Sequence, residues 1–86
     1  MDNDTIISAM AKYINENKIN HEKILQFNTC WMTVQEWSDV TGLKLSVSKM
    51  TALHKAGLVV RVKNKEHYGD DVFHYWPAVL SINAFN

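Results

Sequence analysis

The sequence contains very little cysteine, proline or glycine. Cys30 is the only cysteine among the 86 residues, so a disulfide within the chain is excluded. Pro77 is the only proline and the three glycines are isolated, so no flexible linker is visible. We therefore expect a single domain over residues 1–86, in a compartment where disulfides are not needed.

Long apolar runs are also missing. No uninterrupted apolar stretch approaches the roughly 20 residues that a membrane-spanning helix needs. The N-terminal segment MDNDTIISAM carries acids rather than the basic residues that open a signal peptide. These absences predict a soluble, cytoplasmic protein that has no membrane partner.

Charge is balanced overall but unevenly distributed. Nine Lys and Arg residues match nine Asp and Glu residues, so the net charge is zero. Residues 44–67 nevertheless hold six of the cations and a single acid, whereas residues 1–43 hold three cations and six acids. A basic central third is typical of a surface that binds a polyanion. It is equally typical of a solvated surface on which charges cluster by chance.

Apolar periodicity predicts two helices in an N-terminal part, residues 4–28. Asp4 is a candidate N-cap of the first helix, in which apolar residues recur every three or four positions. Asn20 is a candidate N-cap of a short second helix. The residues that this helix would bury are Ile24, Leu25 and Phe27. The next segment, TCWMT, is β-branched and aromatic and predicts a brief strand, and Cys30 within it is expected in or near the core.

A helix-turn-helix pattern follows over residues 33–56. Thr33 and Glu36 have the spacing of a capping box, and Gly42 ends the first of the two helices where a positive φ is favoured. The face that would be buried comprises Val34, Trp37 and Val40. The three tryptophans, Trp31, Trp37 and Trp76, are all expected in or near the core.

The second helix of the pair covers residues 46–56. Ser46 is its candidate N-cap, and Gly57 closes it, with Leu58 as the apolar partner of the C-terminal cap. Its predicted inward stripe comprises Val47, Met50, Leu53 and Ala56.

The apolar period then changes from 3.6 to 2, which predicts a β-hairpin over residues 58–77. In LVVRVKNK the predicted inward residues are Leu58, Val60 and Val62, and the outward residues are Val59, Arg61 and Lys63. NKEHYGDD reads as a turn and VFHYW as the second strand, which Pro77 ends. The tail, residues 78–86, fits either a short helix or a third strand. The predicted class is α+β, mainly α, with three or four helices and a C-terminal hairpin.

The ordered set of features between residues 29 and 77 resembles a known family. In TVQEWSDVTGLKLSVSKMTALHKAGLVVRV, a capped helix leads to Gly42 and a serine-rich helix follows. This arrangement resembles the winged helix-turn-helix domains of MarR-like and related bacterial and phage regulators. Family members commonly close the recognition helix with a Leu-x-x-x-Gly-Leu-Val pattern. The residues that match it are Leu53, Gly57, Leu58 and Val59.

The resemblance implies a small DNA-binding transcriptional regulator, from a bacterial cell or encoded by a phage or plasmid. Helix 46–56 would read the major groove of double-stranded DNA, and the wing would contact the backbone or the minor groove. The predicted DNA-binding residues are Lys44, Ser46, Ser48, Lys49, Ala52, Arg61, Lys63, Asn64 and Lys65. Regulators of this type commonly form homodimers, and apolar residues beyond the needs of a small core support a dimer here. Those residues are Ile6, Ile7, Met10, Ile14, Val79, Leu80, Ile82 and Phe85.

Other interpretations stay open. Ser46 also fits a simple helix cap, Lys55 a cation at a helix C-terminus, and Lys63 with Lys65 edge-strand charges. Because net charge is zero, a winged helix that binds a protein partner without DNA, for example a phage or plasmid factor that acts on a host complex, fits the same pattern. A third interpretation is a DNA-binding part of a larger replication or packaging assembly. No catalytic residue, metal site or cofactor is expected. The segment His67 to His74 has the pattern H-x-x-D-D-x-x-H, but this spacing matches no tetrahedral site and fits a polar loop.

Overall fold

In the computed structural model, residues 2–80 are described, and they form five helices and one two-stranded antiparallel sheet. The helices are α1 (Asn3–Glu16), α2 (His21–Gln26), α3 (Val34–Thr41), α4 (Val47–Lys55) and α5 (Lys65–Tyr68). The strands are β1 (Val59–Val62) and β2 (His74–Pro77). The predicted α+β, mainly helical class is confirmed. The prediction of three or four helices is wrong, because the connection between β1 and β2 forms a fifth helix, α5. The alternatives for the tail fall mostly on residues 81–86, which lie outside the described residues.

The N-cap of helix α1 lies two residues before the predicted cap. Its N-cap is Asp2, whose carboxylate accepts a hydrogen bond from the amide of Thr5 at 2.8 Å. The prediction of Asp4 as the cap is wrong, because Asp4 already lies in the first turn. A negative charge there still favours the helix dipole.

The apolar stripe of α1 belongs to the core. Ile6, Ile7, Met10 and Ile14 are each at most 3% exposed. These four residues are therefore packed within the chain and are not free to form a dimer interface. The prediction that they exceed the needs of the core is wrong, because α3 and β2 both pack against α1.

Helix α2 is capped as predicted but buries less than expected. The side chain of Asn20 accepts from the amide of Lys23 at 3.1 Å. Ile24 and Leu25 are only half-buried, and Phe27 is exposed. Phe27 is the C-cap and has extended backbone angles, which carry its side chain away from the helix face.

The predicted signals that bound α3 and α4 are all present. Thr33 Oγ1 accepts from the amide of Glu36 at 3.2 Å, and Glu36 Oε1 accepts from the amide of Thr33 at 3.0 Å. Ser46 Oγ accepts from the amide of Lys49 at 3.1 Å. Gly42 ends α3 with φ = 71°, a left-handed conformation that glycine adopts without strain. These caps bound α3 and α4, which are joined by residues 42–46.

Three tryptophans organise the core, as predicted. The rings of Trp37 in α3 and Trp76 in β2 have centroids 5.3 Å apart, and Tyr13 of α1 meets Trp37 edge-on at 5.9 Å. Every indole N–H finds an acceptor, as buried indoles usually do. Trp31 donates to the Ile24 carbonyl, Trp37 to the Tyr75 carbonyl and Trp76 to His21 Nδ1.

Strands β1 and β2 form the predicted antiparallel hairpin, with Val59 opposite Pro77 and Val62 opposite His74. The predicted alternation in β1 is wrong at Val59, which is 2% exposed and part of the core. Because β1 starts directly after α4, that helix packs against the strand and covers its first residue. The residues predicted to face inward, Leu58, Val60 and Val62, are half-buried.

The predicted strand at TCWMT is reduced to a single antiparallel bridge between Met32 and Tyr75. Two backbone hydrogen bonds, of 3.1 and 2.6 Å, form this bridge and attach the segment to β2. Cys30, which was expected near the core, is exposed. Trp31 takes the inward position, whereas Cys30 lies in the turn that precedes the Met32–Tyr75 bridge.

The connection between β1 and β2 is helical rather than a simple turn. Asn64 caps α5 by accepting from the amide of His67 at 3.1 Å, and Gly69 ends it with φ = 79°. The sequence NKEHYGDD therefore contains its own start and stop signals, and its prediction as a plain turn is wrong.

Tyr68 holds this connection against the segment before α3. Its hydroxyl donates to the Asn28 carbonyl and accepts from the amide of Trp31, while its ring stacks on His74 with centroids 3.5 Å apart. The loop is thereby folded back onto the body of the protein. None of the helices within residues 2–80 has the length and apolar character that crossing a membrane requires.

Candidate nucleic-acid interface

Helix α4 presents most of its predicted DNA-contact residues on its open side. Met50 and Leu53 are fully buried and hold the inner face of the helix against the core. Ser48 and Ala52 are exposed, and Lys49 is half-buried. Lys44, in the turn before the helix, is exposed as well. The helix is therefore anchored on one side and open on the other.

The N-terminus of α4 lies near an acid. The pKa of Asp2 is lowered, chiefly by the hydrogen bond from Thr5 and to a smaller extent by the positive charges of the N-terminus and Lys49. Lys49 therefore lies within electrostatic range of a carboxylate. Ser46 Oγ already accepts from the Lys49 amide, so Ser46 acts as a cap and retains its hydroxyl proton and one lone pair for a ligand.

Two valines were wrongly predicted to lie on the buried faces of their helices: Val40 of α3, which is 38% exposed, and Val47 of α4. Val47 was assigned to the inward stripe of α4, but its side chain is 64% exposed. Ala56, assigned to the same stripe, is exposed too. Both residues lie at the ends of the helix, beyond the part that Met50 and Leu53 anchor. The position of Val47 directly after the Ser46 cap is the signal that indicates its place at the helix end.

Two cations of the hairpin lie on one aromatic ring. Arg61 Cζ is 4.1 Å and Lys63 Nζ is 4.5 Å from the centroid of the Phe73 ring. Attraction between a cation and the face of an aromatic ring favours these positions. Both charges are thereby held on the face of the hairpin that Phe73 and Tyr75 share, with their ring centroids 6.2 Å apart.

Lys65 does not continue this row. Strand β1 ends at Val62, and Lys65 is the first residue of α5. The strand alternation that placed Arg61, Lys63 and Lys65 on one face therefore does not extend to Lys65. The side chain of Asn64 is occupied as the N-cap of α5, and so serves the fold.

Helix α4 and the hairpin border a concave groove with a volume of about 230 Å³, which we call the α4–hairpin groove. Val47 contributes from the start of α4 and Lys63 from the end of β1, so the two elements predicted to contact DNA meet here. Most of the surface is apolar. The lining residues are Val34, Val47, Lys63, Asp71, Val72, Phe73 and Tyr75.

The polar side chains of the β1–β2 connection serve the fold. His67 Nε2 lies 2.8 Å from the Thr29 carbonyl, and His74 Nδ1 lies 2.9 Å from the Val72 carbonyl. Across residues 2–80, no three His, Cys, Asp or Glu side chains are grouped so that they could hold a metal ion.

The chain matches no protein-family model, and comparisons with curated proteins and with solved structures give no match. The resemblance to winged helices therefore depends on the quoted motif and on the arrangement of α3, α4 and the hairpin.

Proposed function

We propose that this chain is a winged helix-turn-helix domain that binds double-stranded DNA and regulates transcription. The observation that carries the proposal is that Val47, at the N-terminus of α4, and Lys63, the residue directly after β1, line one groove. A helix that enters the major groove would bring a neighbouring hairpin against the DNA backbone. In this fold the hairpin is the wing.

The exposed residues of α4 are suited to reading base edges. Ser48 has a hydroxyl that donates or accepts, and Lys49 reaches either a guanine edge or a phosphate. Val47 adds an apolar side chain at the tip of the helix, where it would contact the methyl group of thymine. Arg61 and Lys63 would hold phosphates, since the Phe73 ring fixes both charges on one side of the hairpin.

The charge of this surface predicts binding of modest strength. Cations border the groove, but Asp71 lines it and Asp2 lies near Lys49. Each phosphate that is neutralised contributes about −0.9 to the slope of log affinity against log salt. We expect a shallow slope, which corresponds to a few phosphate contacts for each domain.

The proposal is tested by selecting duplexes from a random pool at low salt and measuring their affinity by fluorescence anisotropy. Lys63→Gln is expected to weaken binding. It is also expected to make the slope of log affinity against log salt shallower by about 0.9, which corresponds to the loss of one phosphate contact. Lys23→Gln is the matched control, because Lys23 is an exposed cation of α2 that does not line the groove. Absence of duplex binding at low salt, or an equal effect of both variants, would contradict the proposal.

A homodimer on DNA is part of the proposal. The apolar residues of α1 do not support a dimer, because they are buried in the core. Val79, near the end of the described residues, is exposed and is available for a dimer contact. Two-fold symmetry of the protein requires a palindromic site with half-sites one helical turn apart. An enriched palindrome among the selected duplexes would support the dimer, and a single asymmetric half-site would contradict it.

A further inference from the structure

We infer that the α4–hairpin groove is a docking site for a protein partner, and that it accepts one large apolar side chain from an acidic peptide segment. This inference does not depend on the proposed DNA binding. It gives a location to the protein-binding alternative that the sequence leaves open, and it requires only that the groove is accessible in the free chain.

Binding of DNA would account for Val47 but not for the rest of the apolar lining of the groove. Val47 is 64% exposed and Val72 is 49% exposed, and they lie on the same concave surface as Val34 and Phe73. A phosphate backbone is polar and charged, so it would leave this apolar surface unfilled. Burial of the valines against an apolar side chain is favourable.

The size of the groove favours a side chain over a larger ligand. Its volume of about 230 Å³ is smaller than the roughly 300–1,000 Å³ of sites for drug-sized molecules. One leucine, methionine or phenylalanine side chain suits this space, and the peptide backbone on either side of it would lie along the rim.

Tyr75 provides a polar group that lacks a partner. The residue is 1% exposed and lines the groove, and its buried hydroxyl has no hydrogen-bond partner within the described residues. Such buried groups are rare because losing water without replacing it is unfavourable. The backbone carbonyl of the residue that inserts its side chain would accept a hydrogen bond from this hydroxyl.

The charges around the groove favour an acidic partner. Lys63 lines the groove and Arg61 lies on the same Phe73 ring, whereas Asp71 is the only acid in the lining. Carboxylates that flank the inserted side chain would meet the two cations. Lysines at the same positions would meet an excess of positive charge.

The test uses acetylated and amidated pentapeptides and the full chain, without DNA. The probe has a central phenylalanine between two acids on each side, and binding is followed by amide shifts in a nitrogen–proton correlation spectrum. We expect saturable shifts confined to the groove residues. We also expect at least tenfold weaker binding for the same peptide with a central serine, and for the phenylalanine peptide with lysine flanks. Equal binding of the serine peptide, shifts located elsewhere, or no shifts at millimolar peptide would overturn the inference.

Variants of the chain provide a second test of the site. Val47→Ser and Val72→Ser are each expected to weaken binding of the phenylalanine peptide at least fivefold. Val40→Ser is the matched control, because Val40 is an exposed valine that does not line the groove. An equal effect of all three variants would contradict the site.

Tyr75→Phe separates binding from folding. Removal of an unpartnered buried hydroxyl is expected to raise the urea midpoint of the free chain and to weaken peptide binding severalfold. If this variant is destabilised, or binds the peptide as well as the parent chain, the assignment of the hydroxyl to the partner is wrong. Because duplex binding is measured separately, a chain that binds peptide but no DNA would refute the proposed function and leave this inference standing.

Discussion

The indole N–H of Trp76 donates a hydrogen bond to Nδ1 of His21 at 3.1 Å, and the two rings stack with centroids 6.5 Å apart. This contact joins α2 to β2. It requires an unprotonated Nδ1, so it is made by the neutral imidazole that carries its proton on Nε2. Burial lowers the pKa of His21 from 6.5 and outweighs the opposing effect of the Glu22 carboxylate.

The free energy of unfolding is therefore expected to fall as the solution is acidified. Because the pKa of His21 is lower in the folded state, the unfolded state binds the proton first. The stabilisation is complete above the unfolded value of 6.5 and is lost as the pH falls through the lower, folded value. Urea unfolding at about pH 7.5 and about pH 5 measures this loss.

His21→Gln is expected to remove part of this pH dependence, since glutamine does not titrate. His54→Gln is the matched control, because His54 is half-buried at the end of α4 and makes no contact with Trp76. A pH profile that is unchanged in His21→Gln would show that other groups cause the acid effect.

Tyr68→Phe is expected to lower the free energy of unfolding by about 1–3 kcal/mol, because the Asn28 carbonyl and the Trp31 amide each lose a partner. The same variant should increase hydrogen exchange in α5. Tyr13→Phe is the control, since the ring of Tyr13 packs on Trp37 and its hydroxyl forms no hydrogen bond with another described residue. Equal stability of the two variants would show that Tyr68 does not hold the connection in place.

The pKa of Tyr68 gives a second measurement at high pH. Burial raises this pKa above 10.0, so the protonated phenol is favoured in the folded state. The unfolded state therefore loses its proton first, and this contribution to stability falls as the pH rises from about 10 through the folded value. The fall should be absent in Tyr68→Phe.

Thr33→Ala is expected to lower the free energy of unfolding by about 1 kcal/mol, because the amide of Glu36 loses the cap oxygen. Thr51→Ala is the matched control, since Thr51 lies inside α4 and its side chain forms no hydrogen bond within the described residues. Chemical unfolding of both variants checks the difference. A loss in Thr51→Ala as large as that in Thr33→Ala would argue against the capping role.

Gly42→Ala is expected to lower the free energy of unfolding by about 1–2 kcal/mol, the approximate penalty of a left-handed conformation for a residue with a Cβ. No atom lies within 4 Å of an added Cβ, so the loss would come from the φ of 71° alone. Gly42→Asn should lose less, because asparagine tolerates this conformation better. Equal stability of the parent and Gly42→Ala would contradict the assigned backbone geometry.

The features that sequence reasoning located correctly depend on short-range interactions. The capping box of Thr33 and Glu36 closes over three residues, and so do the caps at Asn20 and Ser46. Gly42 was predicted from its place after an apolar period. Such signals are visible in a single sequence because both partners lie within one turn of helix.

Several of the errors arose where distant segments meet. Tyr68 bonds to Asn28, 40 residues earlier, and nothing in NKEHYGDD indicates that partner. Val47 has the spacing of a buried residue, but the core does not extend to the end of α4. Periodicity defines which face of a helix is apolar, but it does not define how much of that face is covered.

The sequence by itself determined the helices that carry strong caps, the class of the fold, the aromatic core and the hairpin. Only the tertiary structure decided that the β1–β2 connection folds back onto the body, that Lys65 leaves the row of cations, and that an apolar groove opens beside Lys63. The physical reason is that caps and periodicity act within one element. A groove forms where the ends of several elements converge, and here Val34, Val47 and Val72 come together from three separate parts of the chain.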